Sequence, residues 1–240
     1  MKLLIILRSS FSALIYLPFM LLCSAISIFF NLIFNDRRID DRIAIAWARI
    51  SCWMFGVEVE IKNKEIWSRP GGAVILFNHT SFFDIFALMG YLPGIRFGAK
   101  IELFKIPIFG MAMRRIGILP IDRGAREKTM KIYEQSIARL RAGERVALAP
   151  EGTRNDEGGL KPFKGGPFVF ALQSQVQIIP VIIEGAAQIL PKHTLIPNLD
   201  SWKKKIVVNL LEPISTEGKT PEDKKPFQEL VYSRMSAAMK

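Results

Sequence analysis

The stretch Ala73-Val74-Ile75-Leu76-Phe77-Asn78-His79-Thr80-Ser81-Phe82-Phe83-Asp84 sets both the fold and the chemistry of this chain. Its first five residues are an unbroken apolar run that reads as a buried strand. The next seven hold one of only two histidines in the protein, with a carboxylate five residues on. Five positions along a helix turn through about 500° at roughly 100° per residue, so His79 and Asp84 do not share a helical face. They meet if His79 sits at the strand's end, Thr80 or Ser81 caps the next helix, and Asp84 lies in its first turns. A carboxylate placed there holds the imidazole in one tautomer, the pairing a general base needs. Taken alone, this spacing equally describes a helix cap beside a structural histidine; residues further along the chain select between the two.

Working outward, short β-rich runs alternate with helical ones. Val57–Ile61 alternates like an edge strand, and Ile95–Ala99, Ile118–Ile121, Val146–Ala149, Ile178–Ile183 and Ile206–Leu211 are further strand candidates. Helical stretches lie between and after them, at Phe82–Gly90, Ile108–Ile116, Arg126–Ala142, Pro167–Ser174 and Pro221–Met239. This order predicts an α/β fold: a mostly parallel central sheet flanked by helices, with an N-terminal membrane-embedded helical segment. The expected division is a membrane-anchoring helical region over 1–56 and an α/β domain over 57–240.

The anchor is read from composition. Half of the 240 residues are hydrophobic, and the mean hydropathy is positive at +0.22. The net charge is +11, which points to a membrane surface or an anionic ligand. Nucleic acid is the competing partner, but zinc spacings, aromatic RNA-binding signatures and basic repeats are missing from the sequence. Ser9–Asn35 is 27 residues without a charge. It is too long for the apolar part of a signal peptide, and no clear small-x-small cleavage site closes it. Two readings remain, a single span of about 20 residues and a helix pair entering one leaflet. Ile43–Phe55, apolar and carrying Trp47 and Trp53, favours the pair, because tryptophan prefers the boundary between headgroups and hydrocarbon. Cys23 and Cys52 suggest no disulfide framework, and no Cys/His cluster has metal-ligand spacing, so no metal is expected.

In open α/β sheets, sites gather beyond the carboxyl ends of strands. His79 follows one such strand, Asp122-Arg123 another, and Pro150-Glu151-Gly152-Thr153-Arg154 a third. Two arginines converging on a His–Asp pair describe a base working beside a bound phosphate, since guanidinium grips phosphate bidentately. Lys100 also ends a strand and can bring positive charge to the reacting centre. Ser81 admits a Ser–His–Asp hydrolase, but it lies two residues from His79 without a Gly-x-Ser-x-Gly elbow. His193 is expected to be structural or exposed. Residues 96–145 hold 12 basic and 5 acidic side chains. That excess suits anionic headgroups, at roughly 1 kcal/mol per nearby Lys or Arg, or steering of an acidic carrier protein.

Asn78–Asp84, Gly117–Arg123, Pro150–Arg154 and Ile179–Ile182 fall in the order and rough spacing of the four motifs of the glycerolipid acyltransferases. Ala99–Phe104 and Phe163–Gly166 look like that family's intervening blocks. The chain resembles this family from about residue 70 to 185, and within it the bacterial lysophosphatidate acyltransferases. One departure is Leu119-Pro120 in place of the more usual aromatic or β-branched pair before Ile121-Asp122-Arg123. The resemblance implies transfer of an acyl chain from acyl-CoA or acyl carrier protein, as thioester co-substrate without a further cofactor, to the sn-2 hydroxyl of lysophosphatidate. His79 would be the base, Asp84 its orienting carboxylate, and Lys100 a helper at the oxyanion. Arg123 and Arg154 would hold the phosphate, while Glu151, Gly152 and Thr153 shape the turn and contact the glycerol. Membrane phospholipids are then partners and nucleic acid is not. The expected location is the bacterial inner membrane, with the active site on its cytoplasmic face. Another lysolipid acceptor, such as lyso-ornithine lipid, and a non-catalytic lipid-binding protein are the alternative functions.

Overall fold

Two helices, α1 (Lys2–Phe34) and α2 (Arg37–Met54), precede an alternation of strands and helices. The strands are β1 (Val57–Lys62), β2 (Ala73–Phe77), β3 (Ile95–Lys100), β4 (Leu119–Ile121), β5 (Arg145–Leu148), β6 (Gln177–Glu184) and β7 (Lys204–Leu210). Between them run α3 (Glu65–Ser68), α4 (Phe83–Tyr91), α5 (Phe109–Arg115), α6 (Arg126–Arg141) and α7 (Gly166–Ser174), and α8 (Lys224–Ala238) follows. The computed structural model describes residues 1–122, 124–155, 158–191 and 194–239. Among the described residues the strands form one seven-stranded sheet, ordered β1-β7-β6-β2-β5-β3-β4 and parallel except where β6 meets β7. Each strand expected from the sequence is present to within two residues. The short α3 and the 3-10 turn Ile101–Lys105 were not foreseen, being too short to show a period.

β2 lies at the centre and is buried along its whole length. Its side chains alternate between two apolar layers. Ile75 and Phe77 pack into a layer with α2 and α4, including Trp47, Phe83 and Phe86. Val74 and Leu76 pack into the opposite layer with Tyr133, Phe168, Phe170 and Val231 from α6, α7 and α8. Parallel strands covered on both faces need such unbroken apolar runs. β1 is the edge that its alternation suggests. Its Glu58 and Glu60 pair with Lys203 and Lys205 alongside β7, which charges the sheet margin.

The outward face of α1 is apolar, and its inward face carries serines and an asparagine among apolar residues. Its buried positions are Ile5, Ser9, Ser12, Met20, Ser24, Ser27 and Asn31, spaced mostly three and four apart. Leu3, Leu7, Phe11, Leu14, Phe29 and Phe34 are exposed. The serines and Asn31 find partners inside. Ser12 Oγ donates to the Met54 carbonyl (2.9 Å), and Ser27 Oγ and Asn31 Nδ2 donate to the fully buried Asp40 of α2 (2.5 and 2.6 Å). Arg115 of α5 donates to Asn31 Oδ1 at 2.5 Å. The helix is therefore fastened to the rest of the molecule near both of its ends, with its apolar side turned outward.

Candidate active site

The site forms where β2 and β5 end side by side. At the end of β2 the buried Asn78 side chain replaces a rung of the ladder. Its Nδ2 donates to the Ile183 carbonyl (2.9 Å) and its Oδ1 accepts the Ile183 N–H (2.7 Å), so the chain leaves the sheet at a fixed point on β6. His79 follows, with Nδ1 2.8 Å from Asp84 Oδ2. The same oxygen accepts the backbone N–H groups of Thr80 (2.7 Å) and Ser81 (2.9 Å). Asp84 is fully buried, in the first turn of α4. Its other oxygen, Oδ1, is buried with no hydrogen-bond partner among the described residues.

The predicted meeting of His79 and Asp84 is present, but the capping is different. Helix α4 begins at Phe83, its N-cap position is Phe82, and no side chain caps it there. Thr80 and Ser81 donate their backbone N–H groups to Asp84, and Ser81 Oγ accepts only the Phe83 N–H, at 3.4 Å. One carboxylate oxygen reaching backward can gather three convergent donors, which a hydroxyl cannot match. Ser81 is fully buried, its Oγ donating to the Leu190 carbonyl (3.2 Å), a poor position for a nucleophile.

The turn after β5 holds the histidine's backbone. Glu151 is only 3% exposed. Its Oε1 accepts the His79 N–H (3.3 Å) and its Oε2 the Lys161 N–H (2.9 Å), while Asn155 N–H donates to the His79 carbonyl (2.7 Å). Gly152 has φ +75°, a conformation that a side chain would strain. Glutamine at 151 has one acceptor oxygen where two backbone donors converge, so its amide NH2 would face an N–H. Glu151→Gln is expected to lower kcat about 10- to 100-fold by displacing His79. Steady-state kinetics beside a folded wild-type control checks this, and an unchanged kcat would remove the positioning role.

A cavity of about 460 Å³ opens beside this pair. His79, Lys100, Thr153 and Arg154 line it together with apolar walls from four helices: Met20, Trp47, Phe82, Met89, Phe109 and Met113. Its lining reaches Ser27 and Asp40. Apart from Asp84, no hydrogen-bond partner for the His79 ring is found among the described residues, which leaves Nε2 for a ligand. Lys100 Nζ lies 3.6 Å from Glu102, both side chains about half exposed, so its ammonium is shared with a carboxylate at the rim. Arg123 and His193 lie outside the described residues.

Asn78, the first residue of its motif, and Asn155, directly after another, gained no role from the sequence. The walls contributed by α1 and α2 were hidden as well, since an apolar anchor and an apolar cavity wall have the same composition.

The family model described as Acyltransferase matches residues 58–184, and the candidate site lies within that range. Over 165 residues the chain is 33% identical to the 1-acyl-sn-glycerol-3-phosphate acyltransferase LPAT1, chloroplastic, of Arabidopsis thaliana, a match covering 68% of this chain and 46% of that protein. The chain thus spans about half the length of this curated relative. Over 199 residues it is 30% identical to the human 1-acyl-sn-glycerol-3-phosphate acyltransferase beta, covering 79% of this chain and 68% of the human protein. The fold is that of the crystal structure of the 1-acyl-sn-glycerophosphate (LPA) acyltransferase PlsC from Thermotoga maritima, with a TM-score of 0.78 at 21% identity, over 98% of this chain and 93% of that one.

Proposed function

Because the chain belongs to the acyltransferase family, we propose that it transfers an acyl chain from a thioester to the sn-2 hydroxyl of lysophosphatidate, giving phosphatidate. The observation that carries this reading is a histidine held by a buried carboxylate at 2.8 Å on the wall of a largely apolar cavity of about 460 Å³. The cavity suits an alkyl chain, and the His–Asp pair suits removal of a hydroxyl proton. His79 Nδ1–H donates to Asp84, and neutral Nε2 takes the proton from the acceptor hydroxyl. The oxygen attacks the thioester carbonyl, and the tetrahedral oxyanion collapses with loss of thiolate. The imidazolium then returns the proton to the sulfur, so the pair is ready for another cycle. Acyl-CoA and acyl carrier protein both supply such a thioester, and the chemistry asks for no further cofactor.

Arg154 lines the cavity near His79 and is the described candidate for the acceptor's phosphate, a role that the motif order gives to Arg123 as well. A charge-assisted contact to phosphate contributes about 1.5–3 kcal/mol. Arg154→Ala is accordingly expected to raise the KM for lysophosphatidate about 10- to 100-fold with a smaller change in kcat. Acceptors without a phosphate monoester should respond to the substitution far less. Radiolabelled acyl transfer, with both donors and both kinds of acceptor, tests the whole reading. No product from lysophosphatidate with either donor would overturn it.

The reading includes one leaflet of a membrane, the cytoplasmic side of a bacterial inner membrane, where thioester donors are available. Its support is the outward apolar face of α1 and the bonds that fasten this helix at Arg8, Ser9 and Ser12 near one end and Ser27 and Asn31 near the other. At 1.5 Å per residue α1 is about 50 Å long. Crossing the roughly 30 Å hydrocarbon core would drag the attached α/β domain inside it. Lying along the surface avoids that.

A further inference from the structure

The connection between β6 and β7 presents side chains that suit lipid better than water. Leu195 is 93% exposed, Trp202 51% and Leu199 40%, and Trp53 in the last turn of α2 is 78% exposed. These residues are gathered near one end of α1. Arg8 Nη1 donates to the Trp202 carbonyl (2.5 Å), and Nη2 to those of Ser201 (3.2 Å), Phe55 (3.3 Å) and Asn198 (3.5 Å). The guanidinium carbon also lies 5.0 Å from the centre of the Trp202 ring. Ser9 Oγ donates to the Asn198 carbonyl (2.7 Å), and Asn198 Nδ2 to that of Phe55 (2.7 Å). The packing leaves no slack, since a Cβ at Gly56 would stand 2.2 Å from the Trp202 oxygen.

Arg8 stands among the exposed Leu4, Leu7 and Phe11. A guanidinium in such a stretch is costly near hydrocarbon, and here its two Nη atoms meet four carbonyls of the connection and the α2–β1 junction, while Nε has no partner among the described residues. We propose that the segment Leu195–Trp202 is a second lipid-contacting element, seated in the same leaflet as α1, and that Arg8 is the clasp that holds it level with that helix. The inference rests on the one-leaflet reading above. Lipid is favoured as occupant because the connection is bonded to α1 at Arg8 and Ser9, beside the exposed Leu4, Leu7 and Phe11, and because two exposed tryptophans suit the headgroup boundary. A second contact point fixes the tilt of the α/β domain, and so the height of the cavity above the bilayer.

The test uses the whole protein on phosphatidylcholine–phosphatidylglycerol vesicles with brominated acyl chains, which quench tryptophans that enter the bilayer. Trp47 and Trp67 are buried, so the quenched share should come mainly from Trp53 and Trp202. Both Trp53→Phe and Trp202→Phe are expected to lower it. If Trp53→Phe lowers it and Trp202→Phe does not, the connection faces water and the inference falls while the membrane reading stands. If wild type shows neither quenching nor co-sedimentation with vesicles, the membrane reading falls and the inference with it. Leu195→Glu, at a position too exposed to disturb folding, should weaken vesicle partition about tenfold while sparing activity on detergent-dispersed acceptor. Unchanged partition would also overturn the inference.

Discussion

His79→Ala is expected to lower kcat for acyl transfer by about 10²–10⁴-fold while the protein stays folded and vesicle-bound. The ring is 14% exposed at the cavity wall, so its removal leaves little unfilled core. Asp84→Asn is the more discriminating partner. The asparagine oxygen can replace Oδ2 and accept from His79, Thr80 and Ser81, while its NH2 takes the place of Oδ1, which has no hydrogen-bond partner among the described residues. The loop should therefore persist, but the charge that stabilises an imidazolium is gone. A fall of about 100-fold or more in kcat with little change in acceptor KM is the expected result. Single-turnover acyl transfer, with circular dichroism as the fold control, measures both. Near-wild-type rates in the histidine variant would remove the general-base reading altogether.

Phe86→Ala should give the largest stability loss. The ring is 2% exposed and stands edge-on to Tyr16 of α1, Trp47 of α2, and Phe82 and Phe83 beside it, with centroids 5.0 to 6.0 Å apart. It joins the anchor helices to the helix that carries Asp84. Removing a buried phenyl ring costs about 3–5 kcal/mol in transfer and cavity terms. In a chain of this size that corresponds to a fall in Tm of about 6–20 °C. Thermal unfolding in detergent reads this directly, and Phe86→Leu should recover more than half of the loss. A Tm within about 2 °C of wild type would show that the aromatic cluster does not couple the helix pair to the α/β core.

Much of this was legible in the linear chain, and for local reasons. Ala73–Phe77 is a strand because a central parallel strand must be apolar on both faces, so five consecutive apolar residues suffice to place it. The helical stretch expected over Arg126–Ala142 matches α6 to within a residue, and the strand-end rule put His79 and Pro150–Arg154 each just beyond a strand, while the β2–β5 pairing that makes those strands neighbours came only with the fold. The capping of α4 differs because serine and threonine are favoured caps in general, whereas here the backbone N–H groups of Thr80 and Ser81 turn to the buried Asp84 and the helix starts after them at Phe83. The part played by Glu151 depends on Lys161 and His79, which are far apart in sequence.

What the sequence determined by itself is whatever depends on period and residue type: strands and helices, the His-x4-Asp spacing, and an apolar N-terminus. Tertiary structure alone decided how those parts face one another. α1 reads as uniformly apolar in a hydropathy sum, yet Ser9, Ser12, Ser24, Ser27 and Asn31 turn inward, where Ser12, Ser27 and Asn31 find a carbonyl and Asp40 brought close by folding. The same packing makes an anchor serve as the wall of the cavity beside His79. Periodicity records which side of an element is apolar. Whether that side meets lipid, a ligand or another helix depends on contacts between distant residues, and those exist only once the chain has closed on itself.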